Sequence, residues 1–341
     1  MTPSGSAAPP RASEVLRTAP ALQRIQEPIR ERLDAVSAEM LEAVSNDAPL
    51  VARMSGHLMA MRGKMFRPTL LLLASAIENR PDARGVNLAA AVELVHLATL
   101  VHDDAVDHSV LRRGMPTLNS LFTHQISVIM GDFLYSIALE RLVGLADLDA
   151  LRVLVRASTE MTIGEMRQLA VSDQLAFGED DYYALIRAKT ASLMSAACEI
   201  GALAGAPAHA KALARYGAAL GMAFQIVDDL IDYTEASATT GKPTGQDLRE
   251  HKATLPLIAA LREMPPAARR EVVSLFTSAA PSDEQVGRVI ELTGAHGGLE
   301  YARLRCGEYA LEAEHALDDL PETVARTALI DSISYVMERH A

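Results

Sequence analysis

Two stretches of the chain carry the same arrangement of acids. His102-Asp103-Asp104-Ala105-Val106-Asp107 follows the apolar run from Leu94 to Val101, and Gln225-Ile226-Val227-Asp228-Asp229-Leu230-Ile231-Asp232 ends another. On a helix Asp103 and Asp107 stand one turn apart and share a face. Gln225, Asp228, Asp229 and Asp232 do the same. Like charges one turn apart repel, and the cost grows at the mouth of a buried helix. A divalent cation removes that cost, and an all-oxygen ligand set favours Mg²⁺, which keeps several waters and takes a few carboxylates plus phosphate oxygens. One such group of acids also describes a solvated helix end. Two of them, each closing an apolar helix, are hard to treat as coincidence. Side by side, they would face each other across a cavity and hold several Mg²⁺ ions, whose shells a diphosphate would complete.

Basic residues flank both groups. Arg112-Arg113-Gly114 follows the first, and Lys242 and Lys252 follow the second. Lys189-Thr190 falls inside an apolar helix beginning near Asp181. Gly63-Lys64-Met65-Phe66-Arg67-Pro68 precedes a helix with Pro68 at its first position. Singly, such cations are ordinary surface charges. Together they make two sets of phosphate ligands.

The elements that must carry these residues are helices. The 341 residues are 49% hydrophobic but only 4% aromatic, with no Trp, and Ala and Leu abound. That hydrophobic content excludes a mainly disordered chain. The net charge of −12 excludes a nucleic-acid binder, which would show a basic stripe. Leu22, Ile25, Ile29 and Leu33 step along one helix face. Breakers at Asn79-Arg80-Pro81, Gly114-Met115-Pro116, Gly205-Ala206-Pro207, Gly241-Lys242-Pro243, Pro265-Pro266, Ala280-Pro281 and Gly297-Gly298 cut the chain into ten or more helices. No alternating strand stands out. The apolar runs Val86 to Val101 and Thr190 to Val227 predict helices buried inside a bundle. The reading is a disordered tail over residues 1–12 and one all-α domain over 13–341. No charge-free stretch is long enough to span a bilayer. The N-terminus lacks the apolar core of a signal peptide. Cys198 and Cys306 cannot build a disulfide framework and fit a reducing cytoplasm.

With these residues in place, the sequence resembles the trans-type polyprenyl diphosphate synthases. The matching stretches are GKMFRP, HLATLVHDDAVDHSVLRRGMPT, VIMGDFL, GEMRQL, IRAKTASL, YGAALGMAFQIVDDLIDY and GKPTGQDLREHKATLPL, and Tyr335-Val336-Met337-Glu338-Arg339 is similar to the family's final helix. The resemblance implies an isoprenoid-synthase-like all-α bundle around a central cavity, working as a cytoplasmic homodimer. The reaction it implies joins an allylic diphosphate to isopentenyl diphosphate, giving a product apolar enough to partition into membrane. By position, Asp103, Asp104, Asp107, Asp228, Asp229 and Asp232 would form the catalytic aspartates with Lys189. Asp103, Asp107 and Asp228 would lead the Mg²⁺ ligands, with Asp104 and Asp232 beside them. Arg112, Lys189, Thr190, Gln225, Lys242 and Lys252 would contact the allylic substrate. Lys64, Arg67, His96 and Arg113 would hold isopentenyl diphosphate.

The pattern is departed from twice. Where the family usually reads Gly-Gly-Lys-Arg, this chain has Arg62-Gly63-Lys64-Met65, so a cation is missing at Met65 unless Arg62 substitutes. Before Lys252, where Gly is common, stands His251. In the family the product grows down a tunnel beside the first aspartate motif, and short-chain members often block it with aromatics four or five residues upstream. Those positions are Thr99 and Ala98 here. The expectation is a long product, hexaprenyl to decaprenyl, with a floor among Met130, Phe133, Leu134 and Ile137. In the alternative, Ala98 and Thr99 serve only close helix packing, and the enzyme makes farnesyl or geranylgeranyl diphosphate. A class I terpene cyclase would carry an Asn/Asp, Ser/Thr, Glu metal motif in place of Asp228 to Asp232. A non-catalytic partner subunit of a heteromeric synthase would be expected to lose its aspartates.

Overall fold

A computed structural model describes residues 15–61, 63–112, 114–171, 174–234 and 244–340. The tail over 1–12, Arg62, Arg113 and Lys242 lie outside the described residues. The chain runs through α1 Val15–Gln26, α2 Arg30–Ala43, α3 Pro49–Ala60, α4 Phe66–Ser75 and α5 Gly85–Val106. A two-residue hairpin pairs β1 Leu111–Arg112 with β2 Met115–Pro116, and then come α6 Leu118–Leu121, α7 His124–Gly144 and α8 Leu148–Ala170. Next, α9 Glu179–Ile186 passes through a π-helical turn, Arg187–Ala191, into α10 Ser192–Gly205 and α11 Ala210–Thr234. The last stretch holds α12 Gln246–Arg249, α13 Leu255–Glu263, α14 Pro266–Phe276, α15 Asp283–Ala295, α16 Gly298–His315 and α17 Val324–Met337.

Gly241-Lys242-Pro243 lies outside the described residues; the other breakers fall between helices or at their ends, and polar side chains close several of the starts. Asp147 accepts from the Ala150 amide at 3.0 Å, and Ser282 and Gln285 form a reciprocal capping box. Three details differ from the expectation. The Leu22-to-Leu33 face is not one helix, because Pro28, which has no N–H to donate, sits in a 3₁₀ turn over Glu27–Ile29. Pro68 is the third residue of α4 rather than the first. That position still lies in the first turn, where amide donors have no intrahelical partner. The hairpin escapes a strand pattern because two residues are too few to alternate.

Leu70, Leu71, Leu72, Leu73 and Ala74 of α4 are buried on every side, which marks a central helix. Each such leucine stabilises the fold by roughly 1.5–3 kcal/mol. The core continues through α5, which packs on α2, α4, α7 and α10, and through α10 and α11, which pack on each other. By length and composition α5 could cross a membrane, but 67% of its most apolar stretch is buried inside the bundle. This layering brings the C-terminal ends of α5 and α11, with their aspartates, to one end of the core. α8 has two unlike faces. Ala157, Met161 and Gly164 are buried, while Leu148, Val155, Ile163, Met166 and Leu169 form an exposed apolar stripe.

Candidate active site

Helix C-termini carry negative partial charge, so carboxylates there are unfavourable unless cations answer them. At the end of α5 the answer differs from residue to residue. Asp104 is buried and receives Arg112 Nε at 2.9 and 3.0 Å from its two oxygens. Asp103 and Asp107 instead face lysines at longer range, Lys189 Nζ 3.8 Å from Asp103 and Lys252 Nζ 3.8 Å from Asp107. Burial pushes the Asp103 carboxyl above its ordinary range, and Lys189 only partly offsets this. Burial works against the Lys252 ammonium too, but Glu250, Asp107 and Asp247 outweigh it and hold its pKa above the usual lysine value.

The second motif divides the same way. Asp229 is buried and accepts from Tyr182 Oη at 2.6 Å and Gln225 Nε2 at 2.8 Å. Thr190 Oγ1 donates to Gln225 Oε1 at 2.7 Å and extends the chain. Burial drives the Asp229 carboxyl far above the ordinary range, and Asp247 and Asp228 add to it. Asp232 accepts from the Gln246 and Asp247 amides, both at 3.0 Å, and so anchors the start of α12. Asp228 meets a cation from a distant element, Arg339 Nη2 at 2.7 Å. The Arg339 guanidinium also lies over the Phe224 ring, 4.5 Å from its centroid. Phe224 is one turn before Asp228, so one arginine spans both.

Lys189 and Thr190 do not sit in a regular helix, as their apolar surroundings suggest, but in the π-helical turn. Such turns recur at functional sites. A Cβ added at Gly164 of α8 would come within 2.6 Å of Ala188 Cβ, and one at Gly221 of α11 within 2.6 Å of Ala191 Cα. The two glycines therefore let α8 and α11 close on the turn from both sides.

The third group gathers at the start of α4. Lys64 Nζ donates to Tyr335 Oη at 3.1 Å, and Arg67 Nη1 lies 3.0 Å from His96 Nε2. The Phe66 ring lies 5.9 Å from Phe224 and 5.7 Å from Tyr335, which ties this group to Arg339 and Asp228. Met65 is a core residue with φ +53°, and its carbonyl accepts from the Thr69 amide and hydroxyl. His251 has φ +56°. That left-handed conformation is the physical reason a glycine suits this position.

A cavity of about 150 Å³ opens between α9, the π turn, α11 and the stretch after α12. Lys189, Thr190, Gln225, Asp229 and Lys252 form its polar side, and Phe177, Leu185 and Ile186 its apolar side. The structure thus brings together four residues expected at the allylic substrate, Lys189, Thr190, Gln225 and Lys252, with Asp229 of the second motif beside them. Arg112 lies apart from them, lining a smaller cavity with Leu97 and Val101. Ala98 is buried in α5, and Thr99 Oγ1 donates to the His96 carbonyl at 2.8 Å. Met130 and Leu134 are buried on α7, with Phe133 and Ile137 half-buried. Sequence reasoning gave no role to Glu165, Tyr182, Tyr335 or Arg339. Glu165, Tyr335 and Arg339 lie in stretches that carry the family resemblance, but nothing in their spacing says what they touch.

The donor set suits Mg²⁺. Asp104, Asp229 and Asp232 are consumed by the protein's own donors. Asp103 and Asp107 each face a lysine from another element 3.8 Å away, and Asp228 pairs with Arg339 at 2.7 Å. Among the described residues no three acidic or histidine side chains converge as a ready-made metal cage. A site divided between two helices fits an ion whose remaining ligands are water and phosphate oxygens.

The chain matches a family model described as Polyprenyl synthetase over residues 48–293. It is 37% identical to an all-trans-nonaprenyl-diphosphate synthase (geranyl-diphosphate specific) of Rhodobacter capsulatus, over 93% of this chain and 98% of that one. To an octaprenyl diphosphate synthase of Escherichia coli it is 35% identical, over 93% and 99%. The crystal structure of a polyprenyl synthase from Caulobacter crescentus complexed with calcium and isoprenyl diphosphate matches with a TM-score of 0.89 at 34% identity, covering 94% of this chain and 98% of that one.

Proposed function

The chain belongs to the polyprenyl synthetase family, and on that premise we propose that it is a Mg²⁺-dependent prenyltransferase that extends an allylic diphosphate with isopentenyl diphosphate to a long polyprenyl diphosphate. The observation that carries the site assignment is the division of the six aspartates. Asp104, Asp229 and Asp232 accept close hydrogen bonds from the protein's own donors, Asp103 and Asp107 keep Lys189 and Lys252 3.8 Å away, and Asp228 pairs with Arg339 at 2.7 Å.

In this reading Asp103, Asp107 and Asp228 hold Mg²⁺. Bound there, the metal supplies positive charge against which an allylic diphosphate can leave. Lys189 and Lys252 add charge to the same leaving group, and Thr190 and Gln225 orient it. The alkene of isopentenyl diphosphate, held by Lys64, Arg67 and His96, attacks the carbocation left behind. The released diphosphate takes the proton. Phe177, Leu185 and Ile186 exclude water that would quench the cation. The roles of Arg113 and Lys242 rest on the family resemblance alone.

A long product is supported by the octaprenyl and nonaprenyl relatives and by Ala98 and Thr99, where no aromatic ring blocks the path. The exposed stripe on α8, with Ile129 and Val143 exposed on neighbouring α7, supports a homodimer. Two free, buried cysteines support the cytoplasm. The deciding experiment is incubation of the purified chain with farnesyl diphosphate, isopentenyl diphosphate and Mg²⁺, with the products dephosphorylated and sized. Products of thirty to fifty carbons are expected. EDTA should abolish the reaction and Mg²⁺ restore it. Full turnover in metal-free buffer, or no condensation without a second protein, would overturn the proposal.

A further inference from the structure

Glu165 is two helices away from either aspartate motif in sequence, yet its carboxylate is the strongest partner of Lys189. The Oε2–Nζ distance is 2.8 Å, against 3.8 Å from the same Nζ to Asp103 Oδ2. All three side chains are partly buried. The local geometry is built for this contact. Gly164, the preceding residue, has no Cβ, and one placed there would press on Ala188. Its absence brings α8 against the π turn and carries Glu165 to the lysine. A lysine has a long flexible stem, and between two carboxylates it goes to whichever is nearer and better aligned.

We propose that Glu165 is a positioning residue. It holds the Lys189 ammonium at the polar mouth of the cavity and keeps it from closing onto Asp103. The inference rests on the reading of Lys189 as an allylic diphosphate ligand. It makes a prediction opposite in sign to simple charge counting. Removing a carboxylate beside an anion site should tighten anion binding by reduced repulsion. Removing a positioning carboxylate should weaken it, because Lys189 then pairs with Asp103.

The test is a double-mutant cycle of Glu165→Gln and Lys189→Ala. It is read by calorimetric binding of a non-ionising thiodiphosphate analogue of geranyl diphosphate and by the two substrate KM values. Glu165→Gln is expected to weaken analogue binding by about tenfold, the scale of one charge-assisted hydrogen bond, and to raise the allylic KM while the isopentenyl KM stays unchanged. In the Lys189→Ala background the same substitution should do nothing. Gly164→Ala, which displaces α8 without changing charge, should reproduce the allylic loss. Unchanged or tighter analogue binding in Glu165→Gln overturns the inference, as does a full effect that persists without Lys189. If Lys189→Ala itself leaves analogue binding unchanged, the assignment of Lys189 to the allylic diphosphate fails instead.

Discussion

Replacing Asp104, Asp229 or Asp232 should loosen the fold, whereas replacing Asp103 or Asp107 should not. The first three accept bonds from Arg112, from Tyr182 and Gln225, and from two backbone amides. Alanine there leaves buried Tyr182 and the partly buried donors without their acceptor, at a cost of up to about 1–3 kcal/mol each. Asp103→Ala and Asp107→Ala should leave the thermal midpoint near wild type, Asp228→Ala should also break the Arg339 ion pair, and all three should cut kcat by roughly a thousandfold, about 4 kcal/mol of transition-state stabilisation. Thermal melts beside turnover measurements separate the two classes; a kcat near wild type for Asp228→Ala would remove it from the metal set. His251 offers a second comparison. Glycine normally destabilises relative to alanine, but at φ +56° the order should reverse. His251→Gly should exceed His251→Ala by roughly 1 kcal/mol in urea denaturation. The aspartate motifs themselves are plain in the sequence. Their division is not, because spacing sets which face a carboxylate occupies and not which donor reaches it.

Helix ends and helix interiors differ in how far they can be read from sequence. Six of the Gly and Pro breakers fall between described helices or at their ends, since those residues act through their own backbone. The π turn at Arg187–Ala191 carries no such mark. It packs closely against Gly164 of α8 and Gly221 of α11, a tertiary arrangement that local spacing does not display. Nor does the sequence reveal how tightly α5 and α7 close around Ala98, which is 1% exposed. A phenyl ring in place of that methyl costs little in helix propensity but about 1–3 kcal/mol in overpacking. Ala98→Phe should therefore lower stability and shift the product to farnesyl or geranylgeranyl diphosphate, while the first condensation proceeds near the wild-type rate. Reversed-phase sizing of dephosphorylated products checks this. A mutant that still makes the wild-type length shows that Ala98 does not line the path.

At the scale of the whole molecule, the sequence shows an all-α protein with a buried middle, and the structure shows which outer face is left uncovered. α8 is the element where inside and outside meet. Gly164 and Glu165 turn inward to the π turn and Lys189, and Ile163 and Met166, their immediate neighbours, belong to the exposed stripe. A helix is stiff across its width, so whatever steadies one face steadies the other. Ile163→Glu with Met166→Glu should produce monomers by sedimentation, since charges on that stripe would be buried unpaired in a dimer. The same geometry makes the enzyme's rate per molecule depend on how crowded it is. If a second copy covers the stripe, dilution below the dimer dissociation constant frees α8 on its outer side, and Lys189 loses its fixed bearing on the inner one. Specific activity should then fall with dilution, with the allylic KM rising first, so that one surface of apolar side chains sets the concentration at which each active site is finished.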